Sequence, residues 1–512
     1  MALVACKHSV QFFDFLITAA CWKLVDPHLD KRNCPARYRS ARRYGTVGNS
    51  QCHWRQYCSA TEWTARRPIP GSDSVGGPDN ERWAFSLACS KNRRQRSNLG
   101  IRRYSIRVLR NNHYLYKKNV LPMVVLQRIK SIISYFYYEY FSSPMLVRKG
   151  GKKKALISYI KRPFKSHSTL THCNVIEAIV VADVLHNLGW EVCVADYRAR
   201  KELQLSTFSL VIGFGFPFAQ SFADTSFTGK RIMYLPGANP NYSNAAEAAR
   251  AKQLCERTGV LLKPRREAYS PWMFGAINAD AIFVLGNEWT VSTYSSEINK
   301  NIFKIPVPFI GNFSDHEYDS RDWKSVGNRF VWFAGSGALH KGLDLVLDAI
   351  ALSKNSFHLD VCGPISNEKD FIDLYSHMLF RQNNIKFHGF VDVASEAMHR
   401  VMEQSAFVVF PSCSEGGGSS VLTCMAAGLI PIVTRESSIY VGDFGITIEN
   451  VTPEGVLSAL MLAAELPIEE KIRRSQEARS YVFNQHSIEI FKTVFSRAIS
   501  EVCHGYYRTQ QN

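Results

Sequence analysis

From residue 154 onward, short apolar runs alternate with stretches of helical spacing, and that alternation predicts parallel βαβ units. Residues 155–160 read as a strand, residues 175–188 as a helix stopped by Gly189, and residues 191–196 as a second strand. Further strands are expected at 210–214, 231–235, 281–285 and 302–305, with a helix near 245–257 between the second and third of these. Residues 154–305 therefore make one expected domain. Pro306, Pro308 and Gly311, followed by a polar run, suit a crossing between domains.

A second alternating series begins at Phe330. Strands are expected at 330–333, 358–362, 385–387, 407–410 and 430–433, and helices at 343–352, near 371–379, at 396–403 and at 420–427. Their near-continuous apolar character fits strands covered on both faces. Residues 306–485 make the second expected domain, and residues 486–512 a C-terminal helix and tail. Ligands of such sheets bind beyond the carboxyl ends of the strands, so chemistry is expected in the loops after Phe333, Cys362 and Phe410.

The first of these loops carries Gly335, Ser336, Gly337 and Lys341 just before a helix. Glycines let a backbone approach a phosphate, a helix start presents unpaired N–H groups, and Lys341 adds a full charge. The loop after 407–410 reads Pro411-Ser412-Cys413-Ser414-Glu415-Gly416-Gly417-Gly418-Ser419-Ser420. Three glycines at a helix start are costly for stability, and Glu415 gains little there by sitting in water. A carboxylate that accepts from sugar hydroxyls, beside amides that bind a phosphate, explains both features.

In this order and spacing the stretch from Phe333 through Val433 resembles the C-terminal domain of family 4 (group 1) retaining glycosyltransferases. The resemblance rests on Lys341-Gly342, Asp360-Val361-Cys362-Gly363-Pro364, Ile385-Lys386-Phe387-His388-Gly389-Phe390, and Pro411-Ser412 through Glu415 to Met425-Ala426-Ala427-Gly428-Leu429-Ile430-Pro431. It implies the GT-B fold, an α/β architecture of two Rossmann-like, doubly wound parallel-sheet domains facing a cleft. It also implies a nucleoside-diphosphate sugar as donor substrate, with no permanently bound cofactor.

By the same resemblance Glu415 and Lys341 are the catalytic pair: Lys341 binds the donor diphosphate and Glu415 contacts the transferred sugar. Gly335, Ser336, Gly337, Gly416, Gly417, Gly418 and Ser419 complete the donor contacts. Two positions depart from the family pattern. Ser336 stands where an arginine is usual, and Thr423 where a second glutamate contacts the ribose; a threonine hydroxyl makes one such bond, not a bidentate pair. The leaving diphosphate would itself take the acceptor's proton, which separates this chemistry from glycosidases with two placed carboxylates.

On the acceptor side the first domain offers His167, His172 and Asn174 ahead of a helix whose first turn holds Glu177. His172 and Asn174 are the acceptor-side candidates. The strand-end residues Gly213 to Gly215 and the run Pro236-Gly237-Ala238-Asn239-Pro240 also face the expected cleft. The acceptor implied is a saccharide or a lipid-linked acceptor, in the building of a surface polysaccharide. A nucleotide-sugar epimerase of similar fold is the neighbouring alternative.

Charge changes the picture at the front of the chain only. The formal charge is +18, but residues 1–122 hold 22 of the 62 Lys and Arg against 7 of the 44 Asp and Glu. That basic extension is expected to be disordered or not natively translated, with translation beginning at Met123. A non-catalytic binder of nucleic acid or anionic surfaces is the alternative that this charge raises, yet the rest of the chain is near neutral, so no specific nucleic acid is expected.

Asp14 interrupts the apolar start, and no basic pair precedes it, which argues against a signal peptide. Residues 123–153 read as an aromatic and basic helix and linker, able to lie in a membrane interface or to pack on the next domain. No apolar run reaches the roughly 18 residues of a membrane span. The cysteines after Met123 are isolated, which fits a reduced cytoplasmic compartment. Cys52, His53 and Cys58 have the wrong spacing for zinc, and no metal is expected.

Overall fold

The computed structural model describes residues 142–165, 172–268, 273–294, 298, 301–313 and 321–504. The extension 1–122, the start at Met123, the aromatic stretch before residue 142 and His167 lie outside the described residues. Two parallel-sheet, Rossmann-like domains face each other across a cleft.

The first sheet contains β1 (Met145–Arg148), β2 (Lys153–Tyr159), β3 (Trp190–Asp196), β4 (Leu210–Gly213), β5 (Lys230–Leu235), β6 (Ala281–Leu285) and β7 (Ile302–Ile305). Its spatial order is β1-β3-β2-β4-β5-β6-β7, and every pair is parallel except β1 with β3. The central strands β4 and β6 are buried at every position, as their unbroken apolar sequences require. Strand β1 lies in the stretch 123–153 that was expected to hold a helix and linker. It is four residues long, only half buried, and held by the free edge of β3, so its sequence carries no alternation long enough to read.

The second sheet contains β8 (Arg329–Phe333), β9 (His358–Cys362), β10 (Ile385–Gly389), β11 (Phe407–Phe410), β12 (Ile430–Val433) and β13 (Ile446–Thr447), in the order β10-β9-β8-β11-β12-β13 and wholly parallel. Apart from the antiparallel edge strand β1, the chain in both sheets starts inside the sheet, builds one side and then crosses to the other. The strand order thus reverses between β2 and β4 in one domain and between β8 and β11 in the other. At such a reversal the flanking loops diverge and leave a crevice at the carboxyl ends of the strands.

Two helices decide how the domains meet. Helix α1 (Pro240–Thr258) starts five residues earlier than its apolar spacing predicts, because Asn239 caps it by accepting the Asn241 amide (2.9 Å) and Pro240 suits the first helical position. It aims Arg250 and Arg257 at the other domain: Nη1 and Nη2 of Arg250 both donate to the Pro411 carbonyl (3.2 Å), and Arg257 pairs with Asp344 (2.8 Å). The last helix, α2 (Ile488–His504), returns to the first domain. Its Phe495 packs edge-on against Tyr234 and Phe283, with ring centroids 6.3 and 5.4 Å away.

Candidate active site

The two crevices open into one cleft of about 830 Å³. One wall comes from the ends of β2 and β4, through Tyr159 and Phe214, with His172, Asn174 and Glu177 of the helix after β2. The other wall comes from the loops after β8 and β11, with Gly335, Ser336, Lys341, Glu415 and the glycines that follow. Phe390, after β10, stands in the cleft 60% exposed.

Lys341 and Glu415 are 74 residues apart and meet here: Lys341 Nζ donates to Glu415 Oε1 at 2.6 Å. Ser412 Oγ donates to the same oxygen (3.0 Å), and Arg266 Nη1 reaches both carboxylate oxygens (3.2 and 3.4 Å). Burial alone would push the Glu415 carboxyl up, but Lys341, Arg266 and His340 more than offset it and hold it well below the usual carboxylate range. Burial lowers the Lys341 ammonium, with Arg266 adding to the effect and Glu415 opposing it. The cleft therefore holds one ionised carboxylate between two cations.

In the loop after β8 two amides have a partner within the protein. Glu368 is buried and its carboxylate accepts the amides of Gly337 (2.6 Å) and Ala338 (3.0 Å), so those N–H groups are already taken. Gly337 serves geometry instead. Its φ is +94°, and an added Cβ would stand 2.8 Å from Arg266 Cδ. At Gly335 an added Cβ meets nothing within 4 Å, because that position faces the open cleft. Ser336 beside it is exposed.

In the second loop the glycines are shared between the cleft and the domain contact. A Cβ on Gly417, at φ +87°, would lie 3.0 Å from Val307 and 3.2 Å from the Gly286 Cα. Glu415 and Gly418 donate their amides to the carbonyls of Glu436 (2.9 Å) and Ser437 (3.3 Å). Ser419 Oγ donates to the Pro308 carbonyl (2.9 Å) and still lines the cleft. Thr423 does not reach it: the residue is wholly buried, and its hydroxyl accepts the Ile310 amide at 3.1 Å.

Residues 316–441 match the family described as Glycosyl transferases group 1. The match takes in Lys341, Glu415 and the glycine run, and it covers a minority of the chain. No curated protein sequence matches this one. Among solved structures, sucrose-phosphate synthase from Thermosynechococcus elongatus is similar at 13% identity and a TM-score of 0.52, over 68% of this chain and 98% of that one. TarM of S. aureus is similar at 14% identity and a TM-score of 0.40, over 56% of this chain and 55% of that one, so the chain spans about half of TarM's length. Anabaena HepE, solved with UDP and glucose, is similar at 10% identity and a TM-score of 0.47, over 68% of this chain and 100% of that one. At 13% identity the likeness to the sucrose-phosphate synthase shows the fold alone.

On the other wall, His172 caps its helix through Nδ1, which accepts the Asn174 amide (3.3 Å); partial desolvation first, then the charges of Lys341 and Arg266, lower its pKa from the ordinary value. Glu177 is buried, accepts from the hydroxyls of Tyr159 (3.0 Å) and Tyr234 (3.2 Å), and is pushed up by burial. Among the described residues no group of His, Cys, Asp and Glu has the arrangement of a metal site. Nor is any helix among them long and apolar enough to cross a membrane.

Three residues that build the site carried no functional signal in the sequence. Arg266 comes from a loop 149 residues before Glu415, and Glu368 and Glu247 are single carboxylates without a motif. Glu247 accepts the Arg265 amide (2.7 Å) and the Arg266 amide (3.1 Å), and faces His340 Nδ1 at 3.5 Å, while His340 Nε2 donates to the Ser414 carbonyl (2.6 Å).

Proposed function

We propose that this chain is a glycosyltransferase that moves a sugar from a nucleoside-diphosphate sugar to a saccharide or lipid-linked acceptor, with retention, in the building of a surface polysaccharide. The observation that carries this reading is the meeting of Lys341 and Glu415 at the reversal points of two facing sheets, inside the segment that matches the glycosyltransferase family. A cleft of about 830 Å³ has room for a nucleotide-sugar.

In this reading the Lys341 ammonium holds the diphosphate and stabilises the charge that grows on it as the glycosidic bond to phosphate breaks. Glu415, kept ionised, accepts from hydroxyls of the departing sugar. The acceptor hydroxyl attacks the anomeric carbon from the face the diphosphate leaves, and its proton passes to a phosphate oxygen. The ring of His172 and the side-chain carboxamide of Asn174 orient the acceptor in this reading. The protein works in the cytoplasm, at the inner face of a membrane when the acceptor is lipid-linked.

The test is release of nucleoside diphosphate from a panel of UDP-, GDP- and ADP-sugars by the full chain, with and without a membrane extract as acceptor. Release that needs the extract and vanishes in Lys341→Ala and Glu415→Ala supports the reading. Consumption of donor without any acceptor points to an epimerase, and binding of no sugar nucleotide at all defeats the proposal.

A further inference from the structure

The donor site described above is short of positive charge on its own domain: Lys341 is buried there, while Ser336, exposed in the same glycine loop, brings none. A nucleoside diphosphate carries at least two negative charges, and one ammonium half-neutralised by Glu415 is a weak match for it. We propose that Arg266, supplied by the opposite domain, is the second diphosphate-binding cation of this site. The inference rests on the reading of the cleft as a nucleotide-sugar site.

Four observations converge on Arg266. Its guanidinium lies against the same carboxylate as Lys341, so the two cations bracket one region of the cleft. Its side chain keeps 40% exposure while Glu415 keeps 9%, so Arg266 has a face left for a ligand and Glu415 almost none. Its aliphatic stem lies over Gly337 at a position where any other residue would collide with it, which lays the side chain along the glycine loop next to Ser336. Its backbone amide is fixed by the buried carboxylate of Glu247, so the loop that delivers it is held rather than left to drift.

A planar guanidinium also presents two N–H donors to two phosphate oxygens in a fixed fork, a geometry that an ammonium lacks. Glu415 is then the counterion that Arg266 exchanges for a diphosphate. When a diphosphate arrives, its oxygens take over Arg266, and the Glu415 carboxylate turns to the hydroxyls of the sugar. The exchange ties occupancy to geometry, because the ligand then bridges Lys341 of one domain and Arg266 of the other.

The experiment is calorimetric titration of UDP, GDP and ADP into the full chain, with Arg266→Ala, the double variant Arg266→Ala/Ser336→Arg, and Arg265→Ala as a control. Arg265 is the sequence neighbour, and its exposed pair with Asp370 lies away from Glu415. The result expected is that Arg266→Ala weakens the preferred nucleoside diphosphate at least tenfold, that Ser336→Arg restores most of the loss by replacing the charge from the facing loop, and that Arg265→Ala changes little. Unchanged affinity in Arg266→Ala, or a loss that Ser336→Arg leaves uncorrected, overturns the role of Arg266 alone. Failure of the unaltered chain to bind any of the three diphosphates overturns the reading of the site itself.

Discussion

A Cβ added to Gly416 would stand 2.6 Å from the Gly237 Cα and 2.6 Å from the Pro236 carbonyl oxygen, so the glycine loop of one domain rests on the bare backbone of the other. Both partners are backbone and have little freedom to yield. Gly416→Ala is therefore expected to wedge the domains apart, at a cost of roughly 1–3 kcal/mol typical of overpacking. Turnover should fall more steeply than stability, because Lys341 and Arg266 come from opposite sides of that wedge. Thermal unfolding and donor turnover measured on one preparation check this; turnover within twofold of the unaltered chain would show that the contact does not set the catalytic spacing.

Thr423 offers a sharper separation of roles. Its hydroxyl accepts the Ile310 amide inside the crossing between domains, and removing it leaves a buried N–H without its partner. Thr423→Val is expected to cost about 1–2 kcal/mol of stability and to leave the donor KM within twofold. A tenfold rise in donor KM with unchanged unfolding would instead put the threonine at the ribose. Denaturant titration beside donor saturation curves distinguishes the two.

The parts of the fold that could be read from the sequence are those with one repeating physical cause. Strands such as Phe407–Phe410 are covered on both faces, so every position is apolar and the run stands out. Lys341 and Glu415 were legible because each sits in a glycine-bearing loop at a strand end. Strand Met145–Arg148 was not, because an edge strand of four residues owes its existence to the free edge of its neighbour. Helix Ile488–His504 reads as a helix, but its return to the first domain is decided by the ring faces of Tyr234 and Phe283, far away in sequence. Arg266 was invisible for the same reason, since nothing in an arginine within a polar loop announces the carboxylate it will meet.

Asp344 should be the most sensitive charge outside the cleft. It lies wholly buried in the first turn of the helix Leu343–Leu352, where an anion is favoured by the helix dipole, and it faces two arginines of the other domain. Removing one member of such a buried set leaves the others uncompensated, at a cost of about 3–5 kcal/mol. Asp344→Ala should lower the unfolding temperature clearly more than Arg257→Ala, whose side chain is a quarter exposed and loses less on truncation. Equal effects would mean that Arg250 and Asp344, 3.9 Å apart, do not depend on one another.

The pKa values of Glu415 and Lys341 are both lowered, and because one group is an acid and the other a base they predict different behaviour at the two ends of the pH scale. Glu415 titrates below its unfolded value, about 4.3 for a free glutamate, so its contribution to stability is complete above that value and is lost as pH falls through the folded one. Glu415→Gln should flatten the acid limb of the stability curve in that window. Lys341 titrates below its ordinary 10.5, because burial and Arg266 outweigh the attraction of Glu415. Between its folded and unfolded values the unfolded chain binds the extra proton, so this group makes stability rise with pH there. The same deprotonation removes the cation that holds the diphosphate. Nucleoside-diphosphate affinity should therefore fall on the alkaline side before pH 10.5, without a matching loss of stability from this group. Titration calorimetry and denaturant unfolding across the alkaline range, with Lys341→Met as the reference that lacks the transition, read the two quantities separately. An affinity profile that stays flat up to the ordinary lysine range would mean that Lys341 does not carry the charge the ligand meets.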